Sequence, residues 1–324
     1  MTIRTPICDL LGIDVPIANA GMAGTAGPAL AAAVSEAGGL GGLGGISREG
    51  PDGLRTAINR VRDLTSAPFS VNIWVHILEA APAFLDTALE AKVPSITLSF
   101  GDPTPYVGRA HEAGVLVLHQ VQTLAGAKQA AAAGVDVIIA QGGEAGGHTG
   151  SVATMALVPQ VVDVAGGIPV IAAGGIADGR GLVAALALGA QAVIMGTRFV
   201  AAEESTPPAA HHRERILAAT ADDTVFTDVF DIVDGMLWPA GISGRTIATP
   251  FAKEWLGREE ELRLEREAIL LESARPGEAP ERAHSAYAGQ SSGLIRDVRP
   301  AAEIIRDIMR EAEAVLRSLP RGGA

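Results

Sequence analysis

Residues 168–199 read IPVIAAGGIADGRGLVAALALGAQAVIMGTRF, and their pattern decides the fold. The opening run, IPVIAA, is apolar without alternation, as expected of a strand buried on both faces. It stops at Gly174-Gly175. Residues 179–188 then repeat small and branched apolar side chains at helical spacing and close at Gly189, the residue type favoured just past a helix C-terminus. A second apolar run, AVIM, follows at once. A strand, a glycine turn, a helix and another strand form a parallel unit, because a crossover of that length brings the second strand back in the direction of the first.

The same unit recurs upstream. Apolar runs fall at 15–22, 39–44, 69–75, 95–100, 115–121, 135–141, 168–175 and 192–199. Ala-rich helical segments at 27–37, 52–64, 81–91, 105–113, 123–133 and 179–188 lie between them, and Gly38, Gly114, Gly134 and Gly189 stand where helices should end. Eight repeats in a chain of 324 residues fit an α/β fold, a (β/α)8 TIM barrel of about 250 residues with an insertion. Past Phe199 the rhythm stops. Residues 200–290 carry proline pairs, charge runs and a helix-like stretch at 253–272, so they are expected to form an α-helical insertion after strand 8 that covers the barrel mouth. Residues 299–319 read as an amphipathic closing helix, the displaced eighth one. The barrel is thus assigned residues 1–199 and 291–324.

Composition narrows the function classes. Apolar residues make up 48% of the chain and aromatic ones only 4%, so Ala, Val, Leu and Ile must fill the core. A formal net charge of -12 disfavours nucleic acid and anionic lipid as partners. Cys8 is the single cysteine, so no internal disulfide forms, in keeping with a reducing compartment. The N-terminal sequence lacks the apolar stretch of a signal peptide, and the longest apolar run, 181–196, is interrupted by Gly189 and Gln191. A cytoplasmic protein that neither spans nor binds membranes is expected.

In a barrel of this kind, chemistry sits at the C-terminal ends of the strands. Strand 6 runs into QGGEAGGHTG at 141–150, where His148 is the group able to exchange protons near neutral pH; its bland reading is a loop cap. Glu144 reads as holding that loop together. Strands 7 and 8 end in Gly174-Gly175 and Met195-Gly196-Thr197-Arg198, small residues whose backbone amides suit a phosphate. Met22, after strand 1, can lie on a ring face or fill a gap. Asn72, in an otherwise apolar strand 3, needs hydrogen-bond partners, either from a planar ligand edge or from the barrel itself. Strand 5 offers His119 and Gln120 without choosing between them, and His76 reads as a loop histidine. The glycine run 38–45 does not open a G-x-G-x-x-G helix. No cluster has metal-ligand spacing, His211 and His212 are adjacent and cannot face one site from a helix, and no G-x-S-x-G elbow is present.

These residues, together with GTRFVAAEES at 196–205, Gly244-Arg245, and AGQSSGL at 288–294, make nearly the whole chain resemble the nitronate monooxygenase family, formerly called 2-nitropropane dioxygenases. The resemblance implies non-covalent FMN in the barrel mouth, contacted by Met22, Asn72, Gln120, Gln141, Gly146, Gly174, Gly175, Met195, Gly196, Thr197, Arg198, Gln290 and Ser291. It implies His148 as the catalytic residue. The implied reaction is oxidation of alkyl nitronates or nitroalkanes by O2 to carbonyl compounds and nitrite. Two related groups share the scaffold. FMN-dependent enoyl-acyl-carrier-protein reductases also carry an EAGGH-type loop and a GQS-type C-terminal loop. NADH:quinone reductases are resembled at DGRGLV, 178–183, but tend to have a lysine at the end of strand 5, where Gln120 stands here. The alternatives are therefore an NAD(P)H-dependent FMN reductase of an enoyl thioester or quinone, and a barrel that binds a phosphate ligand without chemistry. Small-molecule substrate and O2 are the expected partners, and an Ala-rich insertion is compatible with a homodimer.

Overall fold

The computed structural model describes residues 3–206, 211–273 and 285–319. The parts of the expected insertion at 207–210 and 274–284, and the chain ends at 1–2 and 320–324, lie outside the described residues. Eight parallel strands form the centre: β1 (Ile17–Asn19), β2 (Gly41–Gly44), β3 (Phe69–Trp74), β4 (Ser95–Ser99), β5 (Leu116–Val121), β6 (Val137–Gln141), β7 (Val170–Ala173) and β8 (Ala192–Met195). Each pairs with its sequence neighbour, and β8 pairs with β1. The last seam, between β1 and β2, is closed by a parallel bridge from Ala18 to Leu40. Asn19 reinforces it with its side chain, donating from Nδ2 to the Gly42 carbonyl and accepting from the Gly42 amide, both at 2.8 Å. A Cβ on Gly41 would stand 2.0 Å from the Ala31 carbonyl oxygen, and one on Gly42 2.3 Å from that of Asn19. The glycine run at 38–45 is therefore a seam strand packed against backbone.

Crossover helices surround the barrel: α1 (Pro28–Glu36), α2 (Gly50–Leu64), α3 (Ala83–Glu90), α4 (Thr104–Glu112), α5 (Leu124–Ala133), α6 (Thr154–Val164) and α7 (Gly179–Ala187). The closing helix α8 (Ala301–Ser318) packs against α7 and α1, so it does take the eighth position. Outward side chains of the strands and the inner faces of these helices make the main core, including Val71, Ile73, Ile96, Leu98, Ile138 and Leu182. A short N-terminal helix, Pro6–Leu11, closes the barrel floor. Its Ile7, Cys8 and Leu11 are buried against Leu118, Val137, Ile139 and Ile171, which point inward. Each fully buried aliphatic chain there stabilises by about 1.5–3 kcal/mol, and Cys8 is a packing residue.

Several expectations need correction. The strand expected at 192–199 ends at Met195, because the chain turns at Gly196 into a short helix, Thr197–Val200. The strand expected at 168–175 ends at Ala173, since Gly174 and Gly175 take φ of 101° and 71°, outside the extended region. The region after β8 is not purely helical. Its strands Thr224–Thr227 and Ser243–Ile247 pair antiparallel, and the latter also pairs with Gly147–Thr149 from the loop after β6. Burial alternates along SGRTI, and both strands carry β-branched residues, which suit a half-buried strand. The helix expected at 253–272 is two helices, Pro250–Trp255 and Glu259–Ser273, interrupted where Gly257 adopts φ of 79°. The apolar run at 181–196 is divided between α7 and β8. Among the described residues no helix is long and apolar enough to cross a membrane.

Candidate active site

A cavity of about 300 Å³ opens at the C-terminal ends of the strands, within the size range of small-molecule sites. Its walls come from the ends of β1, β3, β5, β6, β7 and β8, from residues 145–148, and from Trp238, Tyr287 and Ser291. Alternation along the strands decides which side chains reach it. On β5, Val117 and Val121 join the outer core, and His119 shares their face, while Leu118 points inward and Gln120 lines the cavity. His119 is 3% exposed, and burial pushes its pKa down to about 4. It is a neutral residue under the helices, outside the cavity. The choice between His119 and Gln120 that the sequence left open is made by the barrel's inside-outside pattern.

Several polar side chains inside the barrel are paired with one another or with backbone. Asn72 donates from Nδ2 to the Gly21 carbonyl at 2.7 Å and accepts at Oδ1 from Ser99 Oγ at 2.7 Å, so the barrel supplies the partners that its sequence context demanded. Gln141 Oε1 accepts from Gln120 Nε2 at 3.0 Å and Gln122 Nε2 at 2.9 Å. That leaves the Gln141 amide NH2 without a protein acceptor among the described residues, on a side chain that lines the cavity.

The ends of β7 and β8 offer a different surface. The amides of Gly174, Gly175, Gly196 and Thr197 have no acceptor among the described residues, and all four residues line the cavity. Among the described residues, no lysine or arginine lines it. An anion there would be met by backbone N–H groups alone. The Arg198 guanidinium turns away, is nearly buried, and pairs with Asp297 at 3.2 Å. Gln290 also stays off the wall, its backbone N–H donating to the Glu144 carbonyl at 2.9 Å. Of the residues expected around a cofactor, Arg198 and Gln290 are thus not brought to the cavity, whereas Met22, Asn72, Gln120, Gln141, Gly146, Gly174, Gly175, Met195, Gly196, Thr197 and Ser291 are.

The glycines after β6 and β7 answer mainly to the protein. A Cβ on Gly146 would stand 2.5 Å from the Gly289 amide nitrogen, and one on Gly174 2.8 Å from Thr154 Oγ1. Glu144 accepts from the Thr154 amide at 2.8 Å and from its hydroxyl at 2.8 Å, anchoring the loop to the start of α6. Arg245 donates from Nε to the Gly143 carbonyl at 2.7 Å. The loop is braced from both ends, and it delivers His148 on a strand, opposite Gly244, and not on a free loop.

His148 is 11% exposed at its side chain and lines the cavity. Its Nε2 lies 2.8 Å from Oδ1 of Asp231, itself only 9% exposed. A carboxylate only accepts, so Nε2 carries the proton. Trp238 Nε1 donates to the same oxygen at 3.1 Å, and its ring stacks on the imidazole with centroids 3.5 Å apart and planes 15° off parallel. Phe100 meets His148 edge-on at 6.5 Å, and Tyr287 lies 5.2 Å away. Burial holds the Tyr287 phenol protonated, well above its ordinary pKa, and Asp231 acts in the same direction. Phe100 takes φ of 62°, a left-handed conformation that costs a non-glycine residue roughly 1–2 kcal/mol; it brings the ring over the mouth. His76 packs among Trp74, Trp238 and Phe100, and burial lowers its pKa. Sequence reasoning missed Trp74, Phe100, Asp231, Trp238 and Tyr287. Four of the chain's twelve Phe, Trp and Tyr residues, Trp74, Phe100, Trp238 and Tyr287, line this one cavity, and the scarcity of aromatics elsewhere was the one available signal.

The geometry agrees with comparisons to known proteins. The family model described as nitronate monooxygenase matches residues 4–89 and 74–311. A 5-hydroxy-7a-methyl-1-oxo-octahydro-1H-indene-4-carboxyl-CoA dehydrogenase of Mycobacterium tuberculosis is 44% identical over 73% of this chain, which spans only 65% of that relative's length. A nitronate monooxygenase of Paraburkholderia phytofirmans is 34% identical over 98% of this chain and 97% of its own. The solved structure of FabK from Thermotoga maritima superposes with a TM-score of 0.87 at 42% identity, covering 98% of this chain and 99% of that one. With its barrel, its glycine-ended strands and a family match that runs through both, the chain belongs to the nitronate monooxygenase family of oxidoreductases.

Proposed function

We propose that the protein binds FMN in this cavity and oxidises alkyl nitronates, or the nitroalkanes from which they form, with O2 to carbonyl compounds and nitrite. The observation that carries this reading is the buried His148–Asp231 pair beside a cavity whose far wall offers uncommitted backbone amides. The fit to FMN rests on those amides. A phosphate needs several donors, and Gly174, Gly175, Gly196 and Thr197 supply them where, among the described residues, no side-chain cation competes. Gln120, Gln141 and Asn72 present the amide edge that a flavin ring would meet, and Met22 lies near Gly196, a Cβ on which would be 3.4 Å from its sulfur. When bound, the flavin supplies the electron acceptor that links substrate to O2.

The chain's own residues handle the proton. His148 Nδ1 has no hydrogen-bond partner among the described residues and is the lone pair that takes the α-proton of a nitroalkane. The C–H electron pair passes into the nitro group, giving the nitronate, and the imidazolium charge is offset by Asp231. Phe100, Trp74 and Trp238 keep water from the reacting carbon. His148→Ala is expected to retain the cofactor, seen as visible absorbance, and to lose turnover of neutral nitroethane. Unchanged nitroethane turnover would reject the base role.

A second reading is favoured by the 42% identity to FabK over almost the full length of both chains: reduction of an enoyl thioester at the expense of NAD(P)H. One preparation decides between the two. Anaerobic mixing with NADH or NADPH bleaches the flavin of a reductase within the turnover time. Absence of bleaching, with O2 uptake on adding propyl nitronate, supports nitronate oxidation.

A further inference from the structure

Asp231 lies in the helix Val229–Asp234, far from the barrel strands in sequence, yet its carboxylate is the partner of His148, which lines the cavity and packs against its aromatic residues. Its side chain is almost fully removed from water. Oδ1 accepts two hydrogen bonds, from His148 Nε2 and Trp238 Nε1. Burying a carboxylate for packing alone would be unfavourable without such partners. One of those partners is the imidazole, and the other lies flat against the same imidazole. Both contacts of Oδ1 therefore act on a single ring: one fixes which nitrogen is protonated, the other fixes the ring plane.

We propose that Asp231 is a positioning residue that holds His148 in the Nε2–H tautomer, with Trp238 as the brace of its ring plane, so that Nδ1 is the nitrogen offered to substrate. The inference rests on the reading of His148 as a base. A free imidazole interchanges its tautomers, and only one of them leaves Nδ1 able to accept a proton. The carboxylate selects that form and stabilises the imidazolium that results, through an interaction strengthened by its removal from water. Proton balance is simple: the α-proton of the nitroalkane moves to Nδ1, the proton on Nε2 stays between His148 and Asp231, and the electron pair of the broken C–H bond remains with the nitronate. A nitronate added as such needs no base, so the contribution of Asp231 is confined to neutral substrates.

The test uses the holoenzyme and two readouts. In protein labelled with ¹⁵N-histidine, long-range ¹H–¹⁵N correlation reads the tautomer of His148, assigned by its loss in His148→Gln. The wild type is expected to show Nε2–H with Nδ1 unprotonated, and Asp231→Asn to lose that single form. In steady-state assays, Asp231→Asn is expected to lower kcat/KM for nitroethane by about 10²-fold or more, the scale of general-base contributions, and kcat/KM for preformed ethyl nitronate by less than about 10-fold. Asp231→Glu should recover part of the nitroethane rate, and Trp238→Phe, which keeps a ring without the N–H, should fall between. Equal losses on both substrates, no loss on either, or a wild-type Nδ1–H signal would overturn the proposal. A protein that turns over neither nitro compound would end the functional reading, while the NMR signature would still decide whether Asp231 sets the tautomer.

Discussion

Histidine 119 makes acid sensitivity a measurable consequence of the barrel's inside-outside pattern. Its ring lies under the helices, and burial lowers its pKa from 6.5 to about 4. The direction of the linkage follows from which state binds the proton. Above the unfolded-state value neither state is protonated at this site, and it contributes nothing to pH dependence. As pH falls below 6.5, the unfolded chain takes up a proton that the folded one refuses, so stability drops until the folded pKa, about 4, is reached. At 1.36 kcal/mol per unit, the loss from this residue between about pH 7 and about pH 5 is roughly 2 kcal/mol. Urea denaturation of wild type and His119→Gln at both pH values isolates it, because the other titrating groups are common to the two proteins. His119→Asn serves as a second variant, since the readout is each protein's own difference between the two pH values. The wild type is expected to lose about 2 kcal/mol more than the variant over this interval. Equal losses would mean that His119 protonates in the folded state near its ordinary pKa, and the placement of its ring among the outer core would be refuted.

Other positions give sharper structural tests. Gly174→Ala forces a side chain onto a residue at φ of 101°, with its Cβ 2.8 Å from Thr154 Oγ1; it should destabilise by roughly 1–3 kcal/mol and weaken flavin retention, measured by thermal unfolding and by absorbance after gel filtration. Asn72→Ala removes the partners of Ser99 Oγ and of the Gly21 carbonyl, for an expected loss of about 1–3 kcal/mol in denaturant titration. Glu144→Gln keeps the loop's shape but weakens its hold on Thr154. It should cost about 1–2 kcal/mol and raise protease sensitivity between β6 and α6, seen by limited proteolysis.

The barrel was legible because its determinants are local. Buried parallel strands announce themselves as unbroken apolar runs, and crossover helices as small residues ending in glycine, so residues 168–199 alone fix the repeat. Where a strand stops was harder to read. Phe199 and Val200 resume an apolar sequence soon after Met195, and the turn of the chain at Gly196 separates β8 from the short helix that follows. The glycines after β6 and β7 were legible as special, but their cause was not. At Gly146 and Gly174 it is the approach of the protein's own backbone and of Thr154 that forbids a Cβ, and no local pattern distinguishes that from the approach of a ligand. Likewise Arg198 stands next to Thr197 in sequence, yet the first residue of a helix and the second point in different directions, and the guanidinium finds Asp297 and not the cavity.

Asp231 shows where such reading must stop. It is 83 positions from His148, in a region whose strands and helices lack the barrel's repeat, and an acidic residue in a short helix carries no mark of the imidazole it will meet. The pairing arises because Ser243–Ile247 joins the strand that bears His148 and brings the neighbouring helix with it. The site thus has two origins: the repeating barrel supplies the amides at the ends of β7 and β8 and the Phe100 ring, and the irregular region supplies Asp231, Trp238 and Tyr287 around the imidazole. Substitutions at the first should change how firmly the flavin is held, and substitutions at the second should change proton transfer with the flavin still bound. Those two phenotypes have to separate if the cavity is built this way, since no residue of the helix Val229–Asp234 lines the wall where the free amides lie.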